Sequence, residues 1–490
     1  MPSSMPVLPD TIERADRAVG ERLERMVRNH HRRRLAKLGH AHVFDPPDSS
    51  LWAEGAPRPR EGNELTVLVD GERAIGEIAA ALRNARSHVH LAGWHITPSF
   101  AMRRDGDGPP TTLRDLLAEL AERVDVRVLV WAGPPAPVFE PKRSDVKRIR
   151  DELTHGTRVR CVLDARERTM HCHHEKLVIV DDEVAFVGGI DLTSLSGDRW
   201  DSREHEADGS LGWHDVATRL RGPIVADVAD HFRARWQEVA GEPLPVPTPP
   251  APAGDTEVQL LRTVPDGTYR FVPNGDFRIL DAYVRALRSA QRLIYLENQF
   301  LWSTEIAELI AAKLEDPPSD DFRVLLLLPA RPNNGADTTR GQLGRLMEAS
   351  GDSGRLLPVT VHCRSGPRTH SLYVHAKVGI VDDRWLTIGS ANLNEHSLFN
   401  DTEVNVATCD AELARRTRLE LWAEHLERPV EQVDGDPTRV IDELWRPIAE
   451  EQLERDRAGQ PRTHRLMRLP AVSRRTKRLI GPVRGLLVDG

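Results

Sequence analysis

Four cysteines serve the whole 490-residue chain, at Cys161, Cys172, Cys363 and Cys409, and no two stand as C-x-x-C. That spacing excludes a disulfide framework and a zinc knuckle, and it fits a reducing compartment. No apolar run approaches the ~20 residues of a spanning helix. The longest obvious one, Val324 to Leu328, reads as a buried strand. The opening Met1-Pro2-Ser3-Ser4-Met5-Pro6-Val7-Leu8-Pro9-Asp10 holds no apolar core long enough for a secretory leader, so an intracellular protein is expected. Basic surplus is also missing. A formal net charge of -8 speaks against a dedicated nucleic-acid binder, and no nucleic acid is expected as a partner.

What is present describes an ordinary globular chain, 39% hydrophobic and 29% charged, long enough for roughly two to four domains. Its organising stretch is His174-Glu175-Lys176-Leu177-Val178-Ile179-Val180-Asp181, which returns as His375-Ala376-Lys377-Val378-Gly379-Ile380-Val381-Asp382. Both read H-x-K-x-x-x-x-D. Each runs as an apolar strand into an acidic turn, and a second apolar strand then leaves through small residues, Gly188-Gly189-Ile190-Asp191 and Gly389-Ser390-Ala391-Asn392. Side chains two apart on a strand share a face, so His174 and Lys176 should point together, as should His375 and Lys377. Asp181 and Asp382 fall where the strand turns, and are expected to support that turn through local bonds to backbone amides. A nucleophile or proton donor beside a fixed cation, duplicated, suits an anionic substrate needing attack on one side and protonation of the leaving oxygen on the other.

In chain order, residues 12–38 show helical spacing and end in the basic run His30-His31-Arg32-Arg33-Arg34, a helix expected to pack on the body. Strands then alternate with helices from about residue 64 onward, which argues an α/β sheet covered on both faces. The prolines of 243–252 cannot hold a helix or central strand and read as a stiff linker. Beyond it the pattern repeats. Ala286-Leu287-Arg288 matches Ala81-Leu82-Arg83 at 286 − 81 = 205, and the motif histidines lie 375 − 174 = 201 apart. Such a duplication most simply packs about an approximate two-fold axis, bringing both motifs to one cleft. The expected division is an N-terminal helical segment (1–60), a first unit (61–242), the linker (243–254), a second unit (255–430) and a C-terminal helix with basic tail (431–490). That tail carries Arg462, Arg465, Arg468, Arg474, Arg475, Lys477, Arg478 and Arg484 among apolar residues, a composition suited to an anionic membrane surface.

The duplicated motif with its Gly-Gly and Gly-Ser exits resembles the phospholipase D superfamily over most of the chain. Phe186-Val187-Gly188-Gly189-Ile190-Asp191-Leu192, Arg199-Trp200-Asp201, Gly212-Trp213-His214-Asp215-Val216 and Ile294-Tyr295-Leu296-Glu297-Asn298-Gln299-Phe300 look like its lipid-cleaving branch. The resemblance implies two duplicated α/β/α units with the site at their interface, and a two-step, metal-independent phosphodiesterase mechanism without cofactor. His174 would attack phosphorus and form a covalent phosphohistidine; His375 would protonate the departing alcohol and then activate water or another alcohol. Lys176 and Lys377, with Ser390 and Asn392, would hold the non-bridging oxygens. The family pattern places the acid behind His375 at Glu403, and the best match behind His174 is Asp201. Asp191 stands where the second copy has Asn392, so the two halves differ around the phosphate, since an ionised carboxylate cannot donate.

His171, His173 and His174 cluster locally, but alternation turns His173 away and no acid or cysteine completes a set, so no metal is expected there. The partners expected are a glycerophospholipid, a water or alcohol acceptor and a peripheral membrane surface, for a monomer in the cytoplasm or at the inner face of the membrane. Rival readings are a cardiolipin synthase-type phosphatidyl transferase, a nuclease or other non-lipid phosphodiesterase, and a non-catalytic lipid-binding protein.

Overall fold

A computed structural model describes residues 10–104, 111–135, 141–167, 171–195, 197, 199–207, 210–331 and 336–469, with the backbone alone for 10–21, 23 and 336–338. The centre is a 16-stranded mixed sheet whose order repeats outward from its middle, with the short strand Asp276–Phe277 pairing Thr256–Val264 off that path. Outward from the middle, the first half runs Arg60–Val69, Val216–Arg221, Val184–Gly188, Leu177–Val180, His88–Gly93, Asp125–Trp131, Arg160–Asp164. The second runs Thr256–Val264, Glu403–Thr408, Trp385–Gly389, Lys377–Val381, Leu293–Asn298, Arg323–Leu327, Leu356–Thr360, with Met467–Arg468 added at its edge. At each rank the pairing sense agrees: antiparallel to the fifth strand, then parallel. The halves join where Arg60 pairs with Val258 and Asn63 with Thr256, antiparallel. This is a duplicated α/β fold about a pseudo-two-fold axis.

Helices cover the sheet because its strands are apolar on both faces; Leu177, Val178, Ile179 and Val180 are all buried. Helices Gly71–Arg83 and Leu113–Ala121 close one face of the first half through Ala74, Ile75, Leu116 and Leu117. Arg278–Ser289 and Thr304–Glu315 do the same in the second through Ile279, Leu280, Ile306 and Ile310. On the other face one apolar cluster spans both halves, joining Phe232 and Trp236 of helix Ile224–Ala240 to Trp422 of helix Ala411–His425 and to Trp445. The cleft therefore stands on a shared core.

Two details depart from the expected elements. The regular strands open at Leu177 and Lys377, so His174 precedes its strand, and His375 lies between strands Arg368–Val374 and Lys377–Val381. The C-terminal helix carries a π-helical turn, Ile441–Trp445, between Pro437–Val440 and Arg446–Arg457. Pro447 has no N–H for the α-helical ladder, which fits a wider turn just before it.

The N-terminal basic run and the described part of the C-terminal one pack on the body. Arg34 meets Asp266 at 2.7 Å, and His31 stacks on Phe399 at 4.2 Å. Arg462 pairs with Asp456 at 2.6 Å, Arg468 with Glu450 at 2.8 Å, and Arg465 donates to the carbonyls of Arg203 and Glu204. Arg474, Arg475, Lys477, Arg478 and Arg484 lie outside the described residues.

Candidate active site

Each motif histidine is held by the opposite half of the molecule. His174 Nδ1 lies 3.0 and 3.2 Å from the two carboxylate oxygens of Glu403, and His375 Nδ1 lies 2.6 Å from Asp215 Oδ2. The backbone repeats the exchange: His174 N donates to Thr402 O at 2.9 Å, and His375 N donates to His214 O at 2.8 Å. Each Nδ1 faces an acid oxygen that can accept, which puts the ring proton there and leaves Nε2 as the nitrogen available for chemistry. Trp94 packs edge-on to His174 at 6.2 Å, and Trp213 lies 4.6 Å from His375.

The sheet register explains why these two acids serve. Gly389 pairs with Asn405 and Gly188 with Ala217, so Glu403 and Asp215 each sit two residues before equivalent positions. The residue opposite each acid differs. Ser390 donates through Oγ to Glu403 Oε2, and Ser397 donates to Oε1 at 2.5 Å. Gly189 stands in Ser390's place, where a Cβ would lie 2.1 Å from Asp215 Oδ1. The shorter acid needs a bare backbone opposite it.

This corrects the pairing expected from the sequence. Glu403 stands behind His174 rather than His375, and Asp201 reaches neither motif histidine; its Oδ2 lies 3.0 Å from His205 Nδ1. A count of positions from the histidine does not reach Asp215. The first copy spends 215 − 189 = 26 residues between its exit and its acid, whereas the second spends 403 − 390 = 13. Counting back from the strand that follows each acid would have found it.

Lys176 and Lys377 reach the same cleft with different neighbours. Lys176 Nζ donates to His174 O at 2.7 Å and lies 3.1 Å from Asp191 Oδ2. Lys377 donates to His375 O and to Gln299 Oε1 at 3.2 Å, and Gln299 Oε1 also accepts from Asn392 Nδ2 at 3.3 Å. The first lysine is thus neutralised by a carboxylate while the second is met by an amide. Gln299 was noted only within a family-like segment.

Asp181 and Asp382 stand at the far ends of the strands. Asp181 accepts from the amides of Arg86, Ser87 and His88 at 2.8–3.0 Å, and Asp382 from those of Gln291, Arg292 and Leu293 at 2.7–2.8 Å. These amides open the neighbouring strand, so the bonds are long-range rather than local to the turn. Both aspartates and the residues after them adopt positive φ, between 51° and 58°, a region that Asp tolerates better than most side chains.

Electrostatics distinguish the two rings. Burial, then the cations Lys377, Arg199 and Lys176 and the facing His174, holds His375 well below the ordinary histidine range, favouring its neutral form. Burial pushes the Glu403 carboxyl up to about 8, against the pull of Lys176 and the two serines. His173 faces away, with Thr402 Oγ1 at 2.7 Å and Asp164 at 3.1 Å.

Fold and site together define a duplicated α/β protein whose cleft takes one histidine and one lysine from each half. A family model described as "Phospholipase D" matches residues 81–212, and one described as "Cardiolipin synthase, PLD-like domain" matches 283–424, together more than half of the chain. Phospholipase D alpha 1 of Nicotiana tabacum is 26% identical across 79% of this chain and 69% of that protein. Phospholipase D alpha 1 of Zea mays is 26% identical across 80% and 70%. Among solved structures, phosphatidylserine synthase of Haemophilus influenzae aligns at 14% identity with a TM-score of 0.49, over 76% of this chain and 86% of that one. The chain belongs to the phospholipase D superfamily and is a phosphodiesterase of that kind. Among the described residues, no helix is long and apolar enough to cross a membrane.

Proposed function

We propose that the protein cleaves or exchanges the headgroup of a glycerophospholipid, with His174 forming a phosphohistidine and His375 moving the proton. The reading rests on the crossed histidine–carboxylate pairs: each acid fixes the Nδ1 tautomer and leaves an Nε2 for in-line displacement at one phosphorus. Lys176, Lys377 and Asn392 are the donors for the non-bridging oxygens, where charge builds in the transition state. The neutral form favoured at His375 belongs to the unliganded cleft. A bound phosphodiester brings a negative charge beside the ring, which raises its affinity for the proton it then hands to the leaving oxygen. Water or an alcohol, deprotonated by His375, completes the turnover. Residues 61–242 and 255–430 act as the two units of this machine.

A lipid-panel assay with and without a primary alcohol, run on wild type and His174→Ala, tests the reading. Headgroup release that moves to a phosphatidyl-alcohol with alcohol present, and vanishes in the variant, supports it. Unaltered activity of His174→Ala overturns it. The match of 283–424 to the cardiolipin synthase description favours one second reading, in which another phospholipid replaces water. Cardiolipin formed from phosphatidylglycerol alone would select it.

A further inference from the structure

A second polar centre lies behind the cleft, and the reaction proposed above makes no use of it. Asp70, His205, His214 and Glu424 are all buried, and one ligand-type atom from each lies within 4.8 Å of all the others. We propose that these four side chains form a closed structural site for a divalent transition metal ion, zinc by its donor set.

The distances carry the argument. His205 Nε2 is 3.2 Å from Glu424 Oε1 and 3.4 Å from Asp70 Oδ2; His214 Nδ1 is 3.3 Å from Glu424 Oε1 and 2.9 Å from Asp70 Oδ1. Four N and O ligands at about 2.0–2.1 Å in tetrahedral array stand about 3.3–3.4 Å apart, close to the three edges that Glu424 Oε1 and Asp70 Oδ2 make with the two imidazoles, at 3.2, 3.3 and 3.4 Å. Asp70 Oδ2 is buried yet takes part in no hydrogen bond among the described residues, an arrangement costly for a carboxylate unless a cation satisfies it. The outer contacts agree. His214 Nε2 meets Glu297 Oε2 at 2.9 Å, and His205 Nδ1 lies 3.0 Å from Asp201 Oδ2. His214 thus gives its other nitrogen to a carboxylate, the arrangement that fixes the tautomer of a metal-bound imidazole, and His205 has a carboxylate close to its own.

Two neutral imidazoles and two carboxylates around a divalent ion sum to zero charge, which favours burial. All four positions are filled by protein, so the site is structural and leaves no open position for catalysis. Its place gives it a purpose. Asp70, His205 and His214 belong to the first half and Glu424 to a helix of the second, while His214 O accepts from the backbone of both His375 and Ala376. The ion would pin the halves together directly behind one of the reacting rings.

The competing arrangement has no ion, and both imidazoles carry a second proton instead. Metal analysis of the full-length chain, expressed in zinc-supplemented medium and freed of loosely held ions by brief chelator, separates the two. The proposal expects about one equivalent of zinc, falling about tenfold or more in His205→Gln and Glu424→Gln but retained in His171→Gln, and a melting temperature lowered by prolonged stripping and restored by zinc. Zinc-free folded wild type overturns it. So does zinc lost in His171→Gln and kept in the other two, which would move the ion to the group His171, His396 and Asp401. Where the variants fail to fold, cobalt-substituted wild type decides: a tetrahedral d–d spectrum without thiolate charge transfer supports the site, and a thiolate band overturns it.

Discussion

Glu403 opens a strand of the second half, yet its carboxylate holds Nδ1 of His174, from the first, at 3.0 Å. Asp215 returns the exchange to His375. Neither motif histidine takes its acid from its own half, so the pairing depends on how the halves pack.

Replacing either acid should therefore cost turnover more than binding. Glu403→Gln and Asp215→Asn keep volume but replace one acceptor oxygen with an amide donor, which can present the wrong partner to the ring, and kcat is expected to fall about 10²- to 10⁴-fold with KM little changed. Steady-state kinetics on mixed vesicles check this; a change confined to KM would contradict it.

Glu403 also sets a pH trend in stability. Its carboxyl titrates at about 8 in the folded protein against 4.5 as an ordinary glutamate, so the native state binds the extra proton between those values. That contribution is full below about 4.5 and is lost as pH rises through 8. Glu403→Gln, which cannot ionise, should thus gain melting temperature relative to wild type at pH 8.5 more than at pH 5.5, read by thermal denaturation across pH.

Gly189→Ala places a methyl 2.1 Å from Asp215 Oδ1 and must push the carboxylate off His375. Activity is expected to drop about as far as in Asp215→Asn. The equivalent substitution in the other half, Ser390→Ala, removes one hydroxyl from Glu403 without a clash and should cost less.

Asp181 and Asp382 are expected to matter for stability and not for chemistry. Asp181→Ala strips the acceptor from three backbone amides at the start of strand His88–Gly93, a loss of about 1–3 kcal/mol. Chemical denaturation should show it, while kcat per folded molecule stays near wild type.

His31 makes the long N-terminal helix acid-sensitive. Burial, helped by Arg34 and His30, lowers it to about 3, so between about 6.5 and 3 the unfolded chain binds a proton that the native one refuses. Stability falls as pH drops through that window. His31→Phe keeps the stack on Phe399 and should flatten the decline in melting temperature between pH 6.5 and 4.

The motif residues, the alternation of strands and helices and the duplication could all be read from the chain, because apolar periodicity and repeated spacing are local properties. His174, Lys176, His375 and Lys377 were identified that way, and Asp181 and Asp382 were placed at turns. Which acid faces which histidine could not be read so. The loop before Asp215 is twice the length of the one before Glu403, so a count of positions led to Asp201, and only strand register put the two acids at equivalent places.

Sequence by itself determined the number of units, their internal order and the motif each carries. Tertiary structure decided the crossing of the pairs, the amide that faces Lys377 where Asp191 faces Lys176, and the buried meeting of Asp70, His205, His214 and Glu424. The physical reason is distance along the chain. Hydrogen bonds between residues 160 to 229 positions apart depend on how two sheets join and two cores fuse, and no short-range pattern in the sequence encodes that.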